Sequence, residues 1–161
     1  MCDCTVTILR AQSAHAGRLS QIAHAAKSYW GYPAQWIELW HNQLTITPSF
    51  IEGNEVWAAE VDGSLLGFYA LSLKGRCAKL EHLWVMPVAI KQGIGSALYS
   101  HALERAVVLG ANRLEMESDP NAVGFYEKMG AEVVGEVGYV LEGQRRALPL
   151  LQHELPELVL E

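Results

Sequence analysis

Residues 80–109 read LEHLWVMPVAIKQGIGSALYSHALERAVVL and predict a strand, a short glycine-containing turn and a helix. The apolar run ends at Pro87, which closes the strand because proline cannot donate a hydrogen bond within a ladder. Gly93 and Gly95 open the helix, and its apolar positions recur at helical spacing: Ile94, Leu98, Ala102, Ala106 and Leu109. Glycines at a helix start let a ligand approach backbone N–H groups that have no partner within the helix. The stretch therefore predicts a phosphate-binding helix start.

The composition limits the classes of protein that this sequence can encode. Its 161 residues predict one domain, residues 1–161, that can bury a core of its own. No apolar run reaches the roughly 18 residues of a membrane span, and the first residues do not predict a signal peptide, so no membrane partner is expected. A net charge of -6 argues against a nucleic-acid partner, which would favour a basic face.

The cysteines set a second limit. Cys2, Cys4 and Cys77 are too few to predict a disulfide framework, and no second pair follows Cys2 and Cys4 to complete a metal site. A sparse set of thiols fits a reducing compartment, so we expect a cytoplasmic protein that holds no metal. Cys77 begins a predicted strand, where we expect an inert thiol.

The rest of the chain completes a pattern of seven strands and four helices. Ser13 is the predicted cap of the first helix, and Gly31 and Pro33 separate this helix from the second. Thr47-Pro48 predicts a short turn, and Asp62-Gly63-Ser64 predicts a hairpin turn. The strands lie at residues 5–10, 55–61, 65–73, 77–85, 113–118, 131–137 and within 145–155, and the helices at residues 14–29, 33–44, 94–109 and 122–129. The crossover through the third helix makes the flanking strands parallel. The sequence therefore predicts an α+β fold with three layers (α/β/α) and a mixed, mainly antiparallel sheet of about seven strands.

By itself, the Gly-x-Gly turn is compatible with a dinucleotide fold, a phosphate loop or ordinary turn chemistry. A Rossmann fingerprint would need a third glycine where Leu98 stands. A P-loop would need Gly-Lys-Ser/Thr at the helix start, and the sequence has no such triplet. Both alternatives are therefore disfavoured.

A second segment, SDPNAVGFYEKMGA at residues 118–131, follows one strand after the turn. With the order and spacing of these two segments, most of the chain resembles the GNAT superfamily of N-acetyltransferases, which use acetyl-CoA. The resemblance implies an acyltransferase that moves an acetyl group from acetyl-CoA to a primary amine by direct transfer in a ternary complex. The acceptor would be a small-molecule or peptide amine, and a homodimer through the last strands is common in the family.

The resemblance also implies a cofactor site. The pyrophosphate of coenzyme A would lie on backbone N–H groups of Gln92, Gly93, Ile94, Gly95 and Ser96. The preceding strand, at Leu83, Trp84 and Val85, would pair with the pantetheine arm like an added strand. The chain departs from the family at Ile90 and Lys91, where Gln or Arg and then Gly are usual. Lys91 either supplies positive charge or is solvated.

For the chemistry, the resemblance makes Tyr126 the acid that protonates the departing thiolate, with packing over the pantetheine beside Phe125 as the alternative. Asn121 is the expected cofactor contact on the short helix, with Asp119 as the alternative. Glu81 is the first candidate for the base. His82, on the opposite face of the strand, and a water chain are the alternatives.

The acceptor site is the least determined part. Trp30 and Tyr32 lie where the family builds its acceptor pocket, His82 and Glu117 are further candidates for substrate contacts, and Trp36 and Trp40 favour a core position. Two other functions stay open: an acyl-CoA-binding sensor of the same fold without turnover, and an enzyme of another class that binds a different phosphate ligand.

Overall fold

The structure is a computed structural model that describes residues 5–157. The chain divides into two compact units. The first comprises the described residues up to Leu71 together with His82–Ala102, and the second comprises Ser72–Glu81 together with the described residues from Leu103 onwards. Within the described part, seven strands form one mixed sheet in the order β1-β2-β3-β4-β5-β7-β6, so the predicted α+β fold is confirmed.

The helices and strands have the following bounds. The strands are β1 Thr7–Arg10, β2 Glu55–Val61, β3 Ser64–Lys74, β4 Cys77–Val85, β5 Arg113–Glu117, β6 Glu132–Leu141 and β7 Gln144–Glu154. The helices are α1 Ala16–Ser28, α2 Ala34–Leu39, α3 His41–Leu44, α4 Pro48–Gly53, α5 Ile94–Val108 and α6 Val123–Lys128.

In the first unit, β2 pairs antiparallel with both β1 and β3. The predicted hairpin between β2 and β3 is confirmed: Asp62 and Gly63 both have positive φ, 50° and 82°, as a tight two-residue turn requires. The two faces of β3 carry different helices. Gly67 faces Ile94 and Leu98 of α5, whereas Phe68, its neighbour on the opposite face, lies near His82, whose ring also contacts Phe50 of α4.

The same unit corrects three predictions about helices. The first helix begins at Ala16 after a 3-10 turn, Ser13–His15, because Gln12 and His15 form the capping contacts that Ser13 was expected to supply. The second helix is broken into α2 and α3 at Trp40, whose φ and ψ of -87° and 1° leave the helical region while its ring becomes buried. Residues 48–53 form α4 rather than a turn, since Thr47 accepts a hydrogen bond from Phe50 N and Pro48 occupies the first turn.

In the second unit, β4 pairs parallel with β5 from Cys77↔Arg113 to Lys79↔Glu115, which confirms the predicted crossover geometry. Strand β7 pairs antiparallel with β5 on one side and with β6 on the other. Strand β6 is longer than predicted because Glu142 and Gly143, with φ of 50° and 77°, form a second tight turn.

Candidate active site

The glycine-containing turn of the first unit presents main chain to its surroundings. Gly93 has a φ of 82°, a conformation that side chains rarely adopt, and Ala97 N donates to Gly93 O at 3.0 Å. The amides of Ile94, Gly95 and Ser96 precede this bond and therefore have no acceptor one turn earlier in the helix. Ile94 is 1% exposed and anchors the turn, while Gly93 and Ser96 are exposed.

Gly67 allows this helix start to sit closely on the sheet. A Cβ at Gly67 would lie 3.0 Å from Leu98 Cδ1, 3.0 Å from Trp84 O and 3.2 Å from Ile94 Cγ2. The missing side chain thus lets the first turns of α5 and the end of β4 converge on one point of β3. The structure therefore brings together two of the predicted cofactor residues, Trp84 and Ile94.

Lys91, one of the two departures from the family pattern, has a backbone conformation that is unusual for a residue with a side chain. Its φ is 68°, in the left-handed region that glycine adopts without strain. For a residue with a Cβ this conformation costs roughly 1 kcal/mol. The backbone at residue 91 therefore has a conformation typical of glycine, although a lysine stands there.

The end of β4 holds His82 in one tautomer. Trp84 Nε1 donates a hydrogen bond to His82 Nδ1 at 2.9 Å. Because an indole N–H can only donate, Nδ1 is the acceptor and the proton of the neutral ring stands on Nε2. Phe50 and Phe68 lie beside the ring, with centroids 5.6 and 6.0 Å away. In this arrangement neither nitrogen offers a lone pair to a substrate proton, so the geometry favours His82 as a hydrogen-bond donor over His82 as a base.

Glu81 and Glu117 come together in the second unit around a lysine that the sequence did not single out. Lys79 Nζ lies 3.9 Å from Glu81 Oε2 and 3.9 Å from Glu117 Oε1, and Ser72 Oγ donates to Glu81 Oε1 at 2.7 Å. Strand alternation puts residues 79 and 81 on one face, and this spacing is the feature of the sequence that could have predicted their contact. The carboxylate expected to act as a base thus already has a lysine and a serine as partners.

The SDPN segment forms a 3-10 turn, Pro120–Ala122, which is capped by Asp119 and leads into α6. Asp119 Oδ1 accepts from Asn121 N at 2.9 Å and from Asn121 Nδ2 at 2.8 Å, so Asp119 is the cap and holds the Asn121 side chain. Tyr126 lies in α6 and is 7% exposed. Its ring meets Phe125 edge-on at 5.3 Å, and its carbonyl accepts hydrogen bonds from the amides of Met129 and Ala131.

The aromatic residues expected on the acceptor side separate into two clusters. Trp30 is 43% exposed and contacts Tyr29, with ring centroids 5.2 Å apart. Tyr32 instead contacts Trp40, which is 8% exposed and so bears out its predicted core position. The full second cluster also contains Trp36 and Lys27, whose Nζ lies 4.8 Å from the Tyr32 ring and 4.4 Å from the Trp40 ring. No pattern in the sequence marks Lys27 as a member of this cluster.

Residues 5–157 contain no group of three or more His, Cys, Asp or Glu side chains that could hold a metal ion. No helix in that range is long and apolar enough to cross a membrane. Cys2 and Cys4 lie outside the described residues. Burial raises the pKa of the Cys77 thiol, which agrees with the expected inert role.

The structure thus contains, in the expected order, the strand, turn and helix and then the strand and short helix on which the resemblance to the GNAT superfamily was based. Residues 19–131 match the Acetyltransferase (GNAT) family. Because this match covers more than half of the chain, the protein belongs to that family and is an N-acetyltransferase. The predicted resemblance is therefore confirmed.

Individual relatives agree with this assignment. The chain is 30% identical over 107 residues to the peptidyl-lysine N-acetyltransferase YiaC of Escherichia coli, covering 65% of this chain and 69% of that one. Among solved structures, a GCN5-related N-acetyltransferase from Rhodopseudomonas palustris has a TM-score of 0.79 at 20% identity, covering 96% of this chain and 99% of that one. The PaiA N-acetyltransferase from Thermoplasma acidophilum, in complex with coenzyme A, has a TM-score of 0.78 at 17% identity, covering 93% and 99%.

Proposed function

We propose that this enzyme transfers the acetyl group of acetyl-CoA to a primary amine by direct transfer in a ternary complex. The observation that carries the proposal is the start of α5, where the amides of Ile94, Gly95 and Ser96 precede the first intrahelical bond. Such amides suit a diphosphate, since they donate hydrogen bonds at the positive end of the helix dipole. The coenzyme A complex of the PaiA relative supports the choice of ligand.

The cofactor residues of the proposal are those of the turn and of the preceding strand. Gln92 and Gly93 complete the main-chain cradle, and the backbone of Leu83, Trp84 and Val85 would pair with the pantetheine arm. Asn121, whose side chain Asp119 holds, is a further proposed contact of the cofactor. The cradle requires no particular side chains, so the departures at Ile90 and Lys91 do not weaken the proposal.

The chemistry needs two proton transfers. The amine nitrogen attacks the thioester carbonyl, a C–N bond forms and the C–S bond breaks. We propose that Tyr126 supplies the proton that the departing thiolate takes up. The proton leaving the amine passes to Glu81, directly or through water. The hydrogen bond from Trp84 to His82 supports the preference for Glu81 over His82 as the base, since His82 then acts as a hydrogen-bond donor.

The acceptor is proposed to be the amine of a lysine side chain in a peptide. The name of YiaC, a peptidyl-lysine N-acetyltransferase, supports this class of acceptor for the present chain. Glu117 is a candidate contact for the acceptor's positive charge, in competition with Lys79. We further propose that residues 1–161 act as one domain, in the cytoplasm, with a homodimer through the last strands that gel filtration would detect.

The decisive experiment measures product and thiol together. The protein is incubated with acetyl-CoA and a lysine-containing peptide, free thiol is followed over time, and the peptide is analysed by mass spectrometry for one added acetyl group. We expect thiol release that depends on the peptide and matches the acetylated product. Calorimetric binding of acetyl-CoA without thiol release across a panel of amines would favour the sensor instead, and selective stabilisation by another nucleotide would favour a different enzyme class.

A further inference from the structure

Three rings and one ammonium group form a compact cluster at the end of α1 and along α2. Tyr32, Trp36 and Trp40 contact one another with ring centroids 5.2 to 6.2 Å apart. Lys27 Nζ lies 4.8 Å from the Tyr32 centroid and 4.4 Å from the Trp40 centroid. We call the three rings the aromatic cage.

The geometry of the cage is that of a cation site. An ammonium group within about 6 Å of an aromatic centroid is attracted by the negative face of the ring, and sets of aromatic rings are used to bind ammonium ligands. Here two rings act on one ammonium while Trp36 packs edge-on against Trp40 at 6.0 Å. The chain reverses at Gly31, whose φ of 78° lets Tyr32 turn back toward Lys27.

We propose that the aromatic cage binds a cationic group of the acceptor, and that Lys27 fills the cage when no acceptor is present. The ligand class is an ammonium or guanidinium group on a peptide, such as a second lysine or an arginine. Lys27 lies at the last turn of α1 on a flexible stem, so its ammonium can leave for water without unfolding the helix.

The cage holds a flanking charge rather than the nitrogen that reacts. Cation–π attraction acts on the charged ammonium, whereas the amine that attacks a thioester must be neutral. One cation in the cage would therefore orient a peptide whose neighbouring amine is acetylated. This step rests on the proposed function, because it assumes a peptide acceptor.

The competing role for the same contacts is a structural one, in which Lys27 joins α1 to α2 and also meets the negative end of the α1 dipole. The two roles predict different results when Lys27 is replaced by methionine, whose side chain is unbranched, one atom shorter and uncharged. In the structural role the cage loses a stabilising contact. In the binding role it gains affinity for an added cation.

The first experiment is independent of acetyl transfer. Binding of choline and of its uncharged isostere 3,3-dimethylbutanol is measured by calorimetry for the wild type, for Lys27→Met and for the control Lys74→Met, which removes an exposed charge at the end of β3. We expect Lys27→Met to bind choline about tenfold more tightly than the wild type, with no such gain for the isostere or the control. Equal choline affinity in the wild type and Lys27→Met would overturn the proposal.

The second experiment tests the acceptor. Peptides that carry one acetylatable lysine and either a second lysine or the uncharged norleucine are compared by calorimetric affinity and by kcat/KM. We expect the second lysine to improve both by about fivefold, and Trp36→Leu or Tyr32→Leu, checked for folding by circular dichroism, to abolish the difference. A preference that persists in both variants would overturn the proposal. If no peptide is acetylated, the proposed function fails, while the affinities still decide whether the cage binds a cation.

Discussion

The start of α5 and the aromatic cage belong to the same unit but are built by different means. In the proposed cofactor site at the start of α5 the binding groups are main-chain amides, and their direction follows from helix geometry once Gly93 takes its φ of 82°. In the proposed cation site the binding groups are the side chains of the cage, and their arrangement depends on the break in the helix at Trp40 and on the reversal at Gly31. We therefore expect the main-chain site to tolerate substitution of its side chains and the side-chain site to change with every ring.

The largest effect is expected at Tyr126, the side chain that we propose as the general acid. Tyr126→Phe keeps the ring, which is 7% exposed, and removes the hydroxyl. We expect kcat to fall about a hundredfold while the KM for acetyl-CoA stays within about twofold, since general acids contribute factors of this order. Steady-state kinetics beside the control Tyr139→Phe would check this. An unchanged kcat would remove the acid role from Tyr126.

The next effect tests whether the main-chain site depends on how closely α5 sits on the sheet. Gly67→Ala places a Cβ 3.0 Å from Trp84 O and Leu98 Cδ1, and overpacking of this kind costs about 1–3 kcal/mol. We expect a lower urea midpoint and weaker binding of coenzyme A, both measurable on the same preparation.

The matched control for that variant is Gly17→Ala, in α1, where a Cβ meets nothing within 4 Å. Alanine in a helix is more stable than glycine by about 0.5–1 kcal/mol, so this variant should gain stability and keep its affinity for coenzyme A. Equal behaviour of the two alanine variants would show that close packing at Gly67 is not needed.

A smaller effect is expected at Lys91, where the comparison between main chain and side chain is sharpest. Lys91→Gly relieves the strain of a φ of 68°, while Lys91→Ala removes the charge and keeps the strain. If the cradle is made of amides alone, the KM for acetyl-CoA should change by less than about fivefold in both variants, because an exposed charge contributes little. A larger loss in both would assign the phosphate charge to the Lys91 ammonium.

The smallest effect is a pH dependence in the second unit. Burial lowers the pKa of His153 from its ordinary 6.5, so the unfolded chain binds a proton at a higher pH than the folded chain does. The contribution of His153 to stability is therefore present above pH 6.5 and is lost as the pH falls from 6.5 to the lower pKa of the folded state. We expect the urea midpoint of His153→Gln to fall less than that of the wild type when the pH is lowered from above 6.5 to below it. A variant as sensitive as the wild type would contradict this assignment.

The features that could be predicted from the sequence are those that are encoded within a few neighbouring residues. Strands β2 and β4 have the predicted bounds, because Gly and Pro residues at their ends act locally. Helix α4 was missed although its signals, the Thr47 cap and Pro48, are local. The break at Trp40 was missed because burial of its ring decides it, and periodicity does not report such burial.

The candidate site shows the same limit. The turn at Gly93 was predicted from the Gly-x-Gly pattern, since the conformation of a glycine turn is encoded within a few residues. The contacts of Lys79 with Glu81 and Glu117, and of Lys27 with Tyr32 and Trp40, join residues through tertiary packing. No local pattern encodes which of several partners a long charged side chain selects.

The position of Lys27 has a practical consequence for spectroscopy. Trp36 and Trp40 are two of the five tryptophans of the chain, and an ammonium group lies against the Trp40 indole. Indole emission responds to a nearby positive charge, so a departure of Lys27 from the cage would alter the intrinsic fluorescence. Intrinsic tryptophan fluorescence could therefore report, without a label, what occupies the aromatic cage, and a stopped-flow instrument could follow it during a single turnover.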